Sequence, residues 1–396
     1  MNTNERYNDM KILFVQWSEF GKEDITEAFT SMGHEVIPFN FPVFMSYEVS
    51  QTLIDFNKAL DSVKPDLVFS SNFSPNVSAL CFTHSIPYAA WVYDSPLLNT
   101  FSATLANPTN FCFMFDSEDY QILKNNGIDT IYYLPLAANV HRTDKMIPNK
   151  AIHQKLDSDI SFVGRFYTEE KNEFENAKNV NEYTKGYLDA LMDAQQLISG
   201  VSFVEPLIQG PILDELLRVV PHQPLPNYSM TDSYLFSRYY IEREITRKER
   251  KKLLQSVSEN FSTKLYTPKP TPDMPHIINM GSVNPYTELP YVFKCSKINL
   301  NITLRSIHAG IPLRAIEIMG AGGFLMSNFQ KDYLMYFEPD KDFVYYEDEQ
   351  DLLDKCNFYL NHDNTRTKIA RSGYNKIKEF FTYDVMLKNI LDTIFS

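Results

Sequence analysis

Short apolar runs recur along the chain, and stretches with helical periodicity separate them. Nearly continuous apolar runs, such as that within Lys11–Trp17, are typical of strands buried on both faces of a sheet. Strands that alternate with helices predict a parallel sheet covered by helices on both sides. The first series of predicted strands comprises Lys11–Trp17, Gly33–Asn40, Lys64–Asn72, Ile86–Pro96, Asn110–Asp116 and Asp129–Ala137.

A second series of apolar runs predicts a second sheet. After its first strand, residues 172–262 show helical periodicity and predict a helical insertion. At 396 residues the chain is too long for one ordinary core, so we expect two domains. The second series comprises Asp159–Arg165, Ser262–Pro268, His276–Gly281, Lys297–Ile302, Gly323–Asn328 and Phe343–Tyr346.

The predicted fold class is therefore α/β, with two Rossmann-like, doubly wound lobes facing each other across a cleft. The first lobe is expected to span residues 1–155. The second is expected to span residues 156–380 and to contain the helical insertion.

Composition and charge narrow the function classes. A formal net charge of -13 argues against a general nucleic-acid binder, which normally presents a basic face. The four cysteines lack metal-ligand spacing, and we expect reduced, structural thiols. The polar N-terminal residues do not resemble a signal peptide, and no apolar run is long enough to span a bilayer. These features predict a soluble, cytoplasmic protein.

The segment Ser306–Asn328 is the strongest candidate for a binding site. It reads as a glycine-proline turn, a short helix, a glycine-rich stop and a strand, an order that presents a helix N-terminus to an anion. Gly310 permits close approach of the backbone to a ligand, and Pro312 suits the first helical position. Arg314 and Glu317 share one helical face, where they could hold a phosphate and ribose hydroxyls. A surface ion pair between them is an equally good interpretation from spacing alone.

A second candidate site follows the strand Asp159–Arg165. Gly164 can bring backbone amides near a ligand, and Arg165 can clamp a diphosphate, with Lys171 as a further charge. A solvated loop is the alternative interpretation of the same residues.

Three residues of the first lobe are candidates for the acceptor or sugar side. Asp94 follows a buried strand, where a carboxylate can act as a base, or it can serve as an ordinary turn residue. Gly21 lies in the loop after the first strand and His84 precedes the strand that leads to Asp94. A turn glycine and a packing histidine are the alternatives.

Other chemistries lack their motifs. The sequence contains no G-x-S-x-G elbow, no H-E-x-x-H, no paired CxxC, no Walker-type loop and no G-x-G-x-x-G after the first strand. Hydrolase, zinc enzyme, P-loop kinase and classical dinucleotide dehydrogenase are therefore disfavoured, and no metal ligand is assigned. The charged run Arg243–Lys252 is interpreted as a solvated or internally paired helical face.

Together these motifs resemble those of two-lobed GT-B glycosyltransferases, in the CgeB-like branch named for spore maturation proteins. Gly310–Asp332 and Phe358–Tyr374 resemble the family's C-terminal module of the glycosyl transferases group 1 type. Tyr132–Asn139, Ile86–Pro96 and Ser161–Tyr167 resemble its N-terminal companion domain.

The resemblance implies transfer of a sugar from a nucleotide donor, with a UDP-linked donor expected and no metal required. It implies that Glu317 binds the ribose, that Gly310, Ile311 and Arg314 face the diphosphate, and that Arg165 with Lys171 assists. The C-terminal segment 381–396 is expected to form a helix that crosses back to the first lobe.

One position departs from the family pattern. Related retaining transferases carry a Glu eight positions before the residue that matches Glu317, and this chain has Ala309 there. An inverting reaction would need a base, for which Asp94 is the candidate. The expected activity is that of a hexosyl- or N-acetylhexosaminyl-transferase acting on a glycan, a protein or a small molecule. A nucleotide-sugar epimerase and a non-catalytic pseudo-transferase are the alternatives.

Overall fold

The computed structural model of the protein describes residues 9–17, 20–41, 51–166, 173–222 and 227–396. These residues form two compact units. The first holds the residues up to Ala137, the segment 227–229 and Phe380–Ser396, and the second holds the rest. The division therefore falls earlier in the chain than residue 155, where the sequence predicted it. The segment 227–229, predicted as part of the insertion, belongs to the first unit, where the Ser229 amide donates to the Phe101 carbonyl at 3.0 Å.

The first unit is built on a six-stranded parallel sheet with the order β2-β1-β3-β4-β5-β6. The strands are β1 Lys11–Gln16, β2 Glu35–Asn40, β3 Leu67–Ser71, β4 Tyr88–Trp91, β5 Asn110–Met114 and β6 Ile131–Tyr133. The described α-helices of this unit are α1 Lys22–Ser31, α2 Gln51–Val63, α3 Pro75–Thr83, α4 Ser117–Asn125 and, at the C-terminus, α18 Tyr383–Phe395, and two short 3-10 helices span Leu98–Phe101 and Ala103–Ala106. Thr382 caps α18 with its hydroxyl, as Thr commonly does at this position.

The second unit contains another six-stranded parallel sheet, with the order β12-β11-β10-β7-β8-β9. Its strands are β7 Ser158–Val163, β8 Thr263–Tyr266, β9 Ile278–Asn279, β10 Ser296–Asn301, β11 Leu325–Asn328 and β12 Val344–Tyr346. The helices outside the insertion are α5 Val140–Lys145, α6 Lys150–Leu156, α13 Leu289–Cys295, α14 Leu313–Gly320, α15 Tyr333–Tyr336, α16 Glu349–Asn361 and α17 Asp363–Phe380. The predicted α/β class with two doubly wound parallel sheets is confirmed.

The insertion between β7 and β8 is helical where it is described. Its helices are α7 Glu173–Ala177, α8 Glu182–Gln196, α9 Val204–Leu207, α10 Pro211–Val219, α11 Asp232–Leu235 and α12 Glu242–Asn260. They bury a core of their own that includes Leu188, Met192, Leu216 and Phe236. A turn of π-helix, Phe236–Ile241, joins α11 to α12, and such turns often occur at functional sites.

Candidate functional site

The carboxyl ends of the strands place three loops of the second unit beside one another. Because β7, β10 and β11 are neighbours and run in parallel, the loops that follow them emerge at the same edge of the sheet. In open α/β sheets this edge is where ligands bind. The loop after β10, residues 302–312, leads into α14 and carries the predicted donor residues.

Hydrogen bonds to side chains hold this loop in shape. The Thr303 amide donates to Asn328 Oδ1 at 2.8 Å, and Gln330 Nε2 donates to the Ile307 carbonyl at 3.1 Å. Gly310 is buried and Ile311 is 1% exposed, so neither presents a side chain at the surface. The loop is therefore preorganised.

The helix that follows the loop begins one residue later than predicted. Pro312 is the N-cap residue, with φ −67° and ψ 147°, and α14 starts at Leu313. The first turn contains no acidic residue, so no side chain of that turn neutralises the partial positive charge of the helix N-terminus. The N-terminus of α14 thus keeps the electrostatic character that favours an anion.

Arg314 and Glu317 form the ion pair that their spacing allowed. Arg314 Nη1 lies 2.6 Å from Glu317 Oε2, and the guanidinium also lies 5.7 Å from the ring centre of Phe293. The two side chains are 30% and 14% exposed, respectively. Both groups are therefore within reach of solvent and of a ligand while they are paired with each other.

The loop after β7 is only partly described. Arg165 is exposed, and Lys171 lies outside the described residues. An ideal Cβ at Gly164 would lie 2.9 Å from the Phe162 ring, so the glycine is required here for packing as well as for any approach to a ligand.

Arg250, on α12, joins this loop to the loop after β10. Its Nη1 donates to the Arg165 carbonyl at 2.5 Å, and its Nε and Nη2 donate to the Ile302 carbonyl at 3.0 and 2.6 Å. Arg250 is 7% exposed and also lies over the Phe162 ring. The charged run Arg243–Lys252 was interpreted as solvated or internally paired, and the pair of Arg247 with Glu244 agrees with that. Arg250 differs, because it is buried and positions two predicted donor loops.

A helical stripe was the signal that could have identified this buried face. Leu253 and Val257 are core residues of α12, and Thr246, Arg250 and Glu242 continue their spacing toward the N-terminus of the helix. All five are buried. Polar residues on the apolar face of a helix indicate specific partners rather than solvation.

Glu242 and His308 form a buried pair between the insertion and the loop after β10. His308 Nε2 lies 2.9 Å from Glu242 Oε1, which also accepts a hydrogen bond of 2.6 Å from Ser202 Oγ. The side chains of His308 and Glu242 are 9% and 0% exposed. Burial raises the pKa of Glu242, but His308 and then Arg238 outweigh burial and leave the pKa below its ordinary value. Glu242 is therefore a carboxylate at neutral pH.

In the first unit, Asp94 lies just beyond β4 and is held by Asn72. Asn72 Nδ2 donates to Asp94 Oδ2 at 2.8 Å, and the amides of Tyr93 and Asp94 donate to Asn72 Oδ1 at 2.8 and 3.2 Å. Asp94 is exposed, whereas Asn72 is 1% exposed and has a positive φ of 66°. An oriented, accessible carboxylate results.

Gly21 is buried at the start of α1 and has a φ of 96°, a conformation that favours glycine. A Cβ there would lie 3.1 Å from Tyr383 Oη and 3.7 Å from Tyr93 Oη. His84 lies elsewhere, before the amino end of β4, and its Nε2 lies 2.9 Å from Asn57 Oδ1. The structure therefore does not bring His84 to the edge where Asp94 lies, and its contacts are those of a packing histidine.

A histidine, a carboxylate and a thiol meet near the amino ends of β7 and β10. His153 Nδ1 lies 2.8 Å from Asp157 Oδ1 and 3.8 Å from Cys295 Sγ. One nitrogen of the His153 ring, one carboxylate oxygen of Asp157 and the sulfur of Cys295 lie within 4.8 Å of one another, a spacing at which they could hold a metal ion. They lie beside a groove of about 830 Å³. Since both contacts use the same ring nitrogen, the three do not form a proton relay. Burial, followed by Asp157, raises the pKa of Cys295 to about 11, so it is a thiol at neutral pH.

All four cysteines are free and buried, as expected for structural thiols. In the part of the chain that the structure describes, no helix is long and apolar enough to cross a membrane.

Comparison with known proteins bears on both the sequence and the fold. Residues 247–392 match the family model described as glycosyl transferase-like. A search of curated proteins gave no match. A glycosyltransferase from Rickettsia africae has a TM-score of 0.54 at 11% identity, covering 98% of each chain.

Two further solved structures cover nearly all of this chain. Sucrose-phosphate synthase from Thermosynechococcus elongatus has a TM-score of 0.54 at 11% identity, over 98% of this chain and 99% of its own. Anabaena HepE in complex with UDP-glucose has a TM-score of 0.52 at 11% identity, over 97% of this chain and 99% of its own. Identities this low show a shared fold alone. The chain thus has the α/β GT-B fold, and residues 247–392 form a glycosyl transferase-like region within it.

Proposed function

We propose that the chain is a glycosyltransferase that moves a hexosyl or N-acetylhexosaminyl group from a UDP-linked donor to an acceptor hydroxyl. One coincidence carries the proposal: the glycosyl transferase-like match includes the loop after β10 and α14, at the edge of the sheet where ligands bind. The crystal structure of the Anabaena protein, which has the same fold, is a complex with UDP-glucose, and this supports the choice of donor. Membership of the CgeB-like branch is part of this proposal.

The donor diphosphate is proposed to lie at the N-terminus of α14. Backbone amides near Gly310 and Ile311 and the guanidinium of Arg314 would face its oxygens, with Arg165 and Lys171 adding positive charge. Fixed dipoles and guanidinium groups stabilise the charge that develops on a leaving diphosphate, and they need no metal to do so. Arg250 supports this arrangement indirectly, because it fixes the two loops involved.

Glu317 is proposed to accept hydrogen bonds from the ribose hydroxyls. A carboxylate with two acceptor oxygens is suited to a pair of vicinal hydroxyls. In the structure Arg314 Nη1 donates to this carboxylate at 2.6 Å, and the ion pair orients it. Nucleotide binding would then exchange part of this contact for contacts with the ribose and the diphosphate.

On the acceptor side, Asp94 is proposed as the base that takes the proton of the attacking hydroxyl. Its orientation by Asn72 supports this role, because a base must be held in a fixed direction to be effective. Gly21 is proposed to admit the sugar or acceptor near its backbone, since any side chain would meet Tyr383. His84 is not part of the proposal because it precedes the opposite end of β4.

The test measures nucleotide binding and acceptor-dependent release of UDP. We expect UDP to raise the melting temperature of the protein, as any ligand specific for the folded state does. Replacing Glu317 or Arg314 with Ala should weaken UDP binding about 10- to 100-fold, the range that follows from losing a hydrogen bond to a charged group. Arg218→Ala is the matched control, because Arg218 forms the same type of i,i+3 pair on α10.

Three outcomes would contradict the proposal. Absence of UDP binding to the unmodified protein would remove its basis. Equal affinities in the Glu317, Arg314 and Arg218 variants would indicate a different binding site. Conversion of a UDP-sugar into its epimer with no acceptor present would instead indicate an epimerase.

A further inference from the structure

We propose that Glu242, His308 and Ser202 form a buried subsite that binds one hydroxyl group of the donor sugar. The inference rests on the proposed function and adds a specificity determinant contributed by the helical insertion. Glu242 lies on the buried helical stripe of α12 described above and His308 lies within the segment Ser306–Asn328, whereas no motif includes Ser202.

The first observation is an unsatisfied carboxylate oxygen. Glu242 is 0% exposed, and its Oε1 is bonded to both Ser202 and His308. Its Oε2 has no hydrogen-bond partner among the described residues. A buried carboxylate oxygen without a partner is unfavourable, and such a group in a native protein indicates that a water or a ligand completes the site.

The second observation is a cavity at the same place. The residues that line a space of about 20 Å³ include Glu242, His308, Ser202, Arg305, Asn328 and Gln330. This volume suffices for one water molecule or one hydroxyl oxygen, and it is far too small for a sugar ring. The cavity can therefore take a single hydroxyl from a ring that remains outside it.

The third observation is the position of the cavity. Ile307 and His308 line it, and His308 precedes Gly310 by only two residues. Two residues span at most about 7 Å of backbone. The transferred sugar is bonded directly to the diphosphate that is proposed to lie at Gly310, so a hydroxyl of that sugar comes within reach of Glu242.

The chemistry of the pair fits a hydroxyl better than a cation or an anion. Three basic groups, those of Arg238, His308 and Arg305, interact electrostatically with Glu242. The carboxyl group of Glu205 is a further charged neighbour. Because the basic groups already offset the charge of Glu242, a further cation is not favoured. An ionised carboxylate repels an anion and accepts hydrogen bonds only. A sugar hydroxyl donates to Glu242 Oε2. Ala309 offers no polar side chain, so His308 and Glu242 provide the polar recognition at this point of the loop.

The consequence is selectivity. A site built to bond a hydroxyl rejects analogues that lack it, because the buried acceptor is then left unpaired. The site should therefore distinguish a sugar from the corresponding deoxy-sugar.

The experiment compares the affinities of UDP and of UDP-glucose, or of UDP-N-acetylglucosamine if that binds more tightly. In Glu242→Gln we expect UDP binding to be unchanged and UDP-sugar binding to be about tenfold weaker, the effect of losing one hydrogen bond to a charged acceptor. Glu244→Gln is the matched control. Glu244 is also buried on α12, but both of its oxygens bond to Arg247.

A second measurement uses the unmodified protein and does not depend on the folding of any variant. Among the monodeoxy analogues of the UDP-sugar, one should bind about tenfold more weakly than its parent. Glu242→Gln should bind that analogue and the parent equally.

The outcomes separate the two proposals. If the unmodified protein binds no UDP, the proposed function has failed. If it binds UDP and the UDP-sugar, but neither Glu242→Gln nor any deoxy analogue changes the ratio of the two affinities, the subsite does not exist. A loss shared by Glu242→Gln and Glu244→Gln would indicate a structural role and would also overturn the inference.

Discussion

Replacing Arg250 tests whether the helical insertion holds the two donor loops in place. Within the described residues, the side chain makes three hydrogen bonds to two backbone carbonyls, those of Arg165 and Ile302, at 2.5 to 3.0 Å. In Arg250→Ala both carbonyls lose their charged donor. Arg250→Lys keeps the charge but has a single nitrogen, which cannot bond both carbonyls in the geometry of a guanidinium.

The expected loss follows from these contacts. A buried acceptor that loses its partner costs roughly 1–3 kcal/mol, which applies to the Ile302 carbonyl. The half-buried Arg165 carbonyl adds about 1 kcal/mol, and the contact of the guanidinium with the Phe162 ring adds about 1 kcal/mol more. We therefore expect Arg250→Ala to lower the free energy of unfolding by about 3–5 kcal/mol and Arg250→Lys by about half as much. For a domain of this size, each kcal/mol corresponds to about 2–4 °C in melting temperature.

The assay is thermal unfolding followed by far-UV circular dichroism, with UDP affinity measured in parallel. Both tryptophans, Trp17 and Trp91, lie in the first unit, so their fluorescence reports that unit separately. Lys248→Ala is the control, because Lys248 lies on the same helix and its ion-pair partners among the described residues are exposed carboxylates at 3.5 and 3.7 Å. Such surface pairs contribute at most about 1 kcal/mol. If the free energies of unfolding of Arg250→Ala and Lys248→Ala differ by less than about 1 kcal/mol, the three hydrogen bonds do not anchor the loops.

Three further predictions concern packing, thiol reactivity and pH. A Cβ at Gly320 would lie 2.7 Å from the Cβ of Ala138, so Gly320→Ala should destabilise the folded protein by about 1–3 kcal/mol. A Cβ at Gly186 would meet nothing within 4 Å, so Gly186→Ala should stabilise the folded protein by about 0.5–1 kcal/mol. Equal effects of the two substitutions on thermal unfolding would contradict this prediction. Burial raises the pKa of Cys295 to about 11, and the other three thiols are also buried. A disulfide reagent at pH 8 should therefore react slowly with the folded protein, whereas after unfolding it should react with all four thiols. A thiol that reacts fast in the folded protein would refute the burial. The guanidinium of Arg218 lowers the pKa of Glu215 to about 2 from its ordinary 4.5. The contribution of the Glu215 carboxylate to stability is therefore complete above pH 4.5 and is lost as the pH falls toward 2. Glu215→Gln should make the free energy of unfolding depend less on pH in this acid range, and an unchanged pH dependence would refute the pairing.

The fold could be predicted because buried parallel strands leave a strong sequence signal. Each of the twelve apolar runs corresponds to a strand, and errors are confined to the ends. Gly33, for example, adopts a φ of 92° as the chain leaves α1, so β2 begins only at Glu35. The strand predicted at Ile86–Pro96 is longer than β4. The amides of Tyr93 and Asp94 donate hydrogen bonds to the side chain of Asn72 instead of to a neighbouring strand, so β4 ends before them. Local side-chain competition of this kind is invisible to periodicity.

The candidate site could be predicted only where local sequence determines it. The turn and helix from Gly310 to Glu317 form from adjacent residues, so the spacing identified them. Arg250 was missed because its partners, the carbonyls of Arg165 and Ile302, are distant in sequence and have no side-chain signature. His84 was misplaced although the sequence shows that it precedes β4, because a residue before a parallel strand lies at the amino end and not at the carboxyl edge where ligands bind.

Four buried charged side chains of the insertion contact the same loop, the one after β10. Arg238 donates to the Ser306 carbonyl at 2.5 Å, Glu242 pairs with His308, and Glu249 binds Arg305 at 2.7 and 2.9 Å. With Arg250, four charged residues of one helical segment therefore contact the loop after β10, whereas buried charges are otherwise rare because of their desolvation cost. Apolar residues could pack the same surface more cheaply, but they could not fix the directions of backbone carbonyls and of His308. The loop geometry thus depends on the insertion, and changes within the insertion are a route by which such a protein could alter its ligand without altering the sheet.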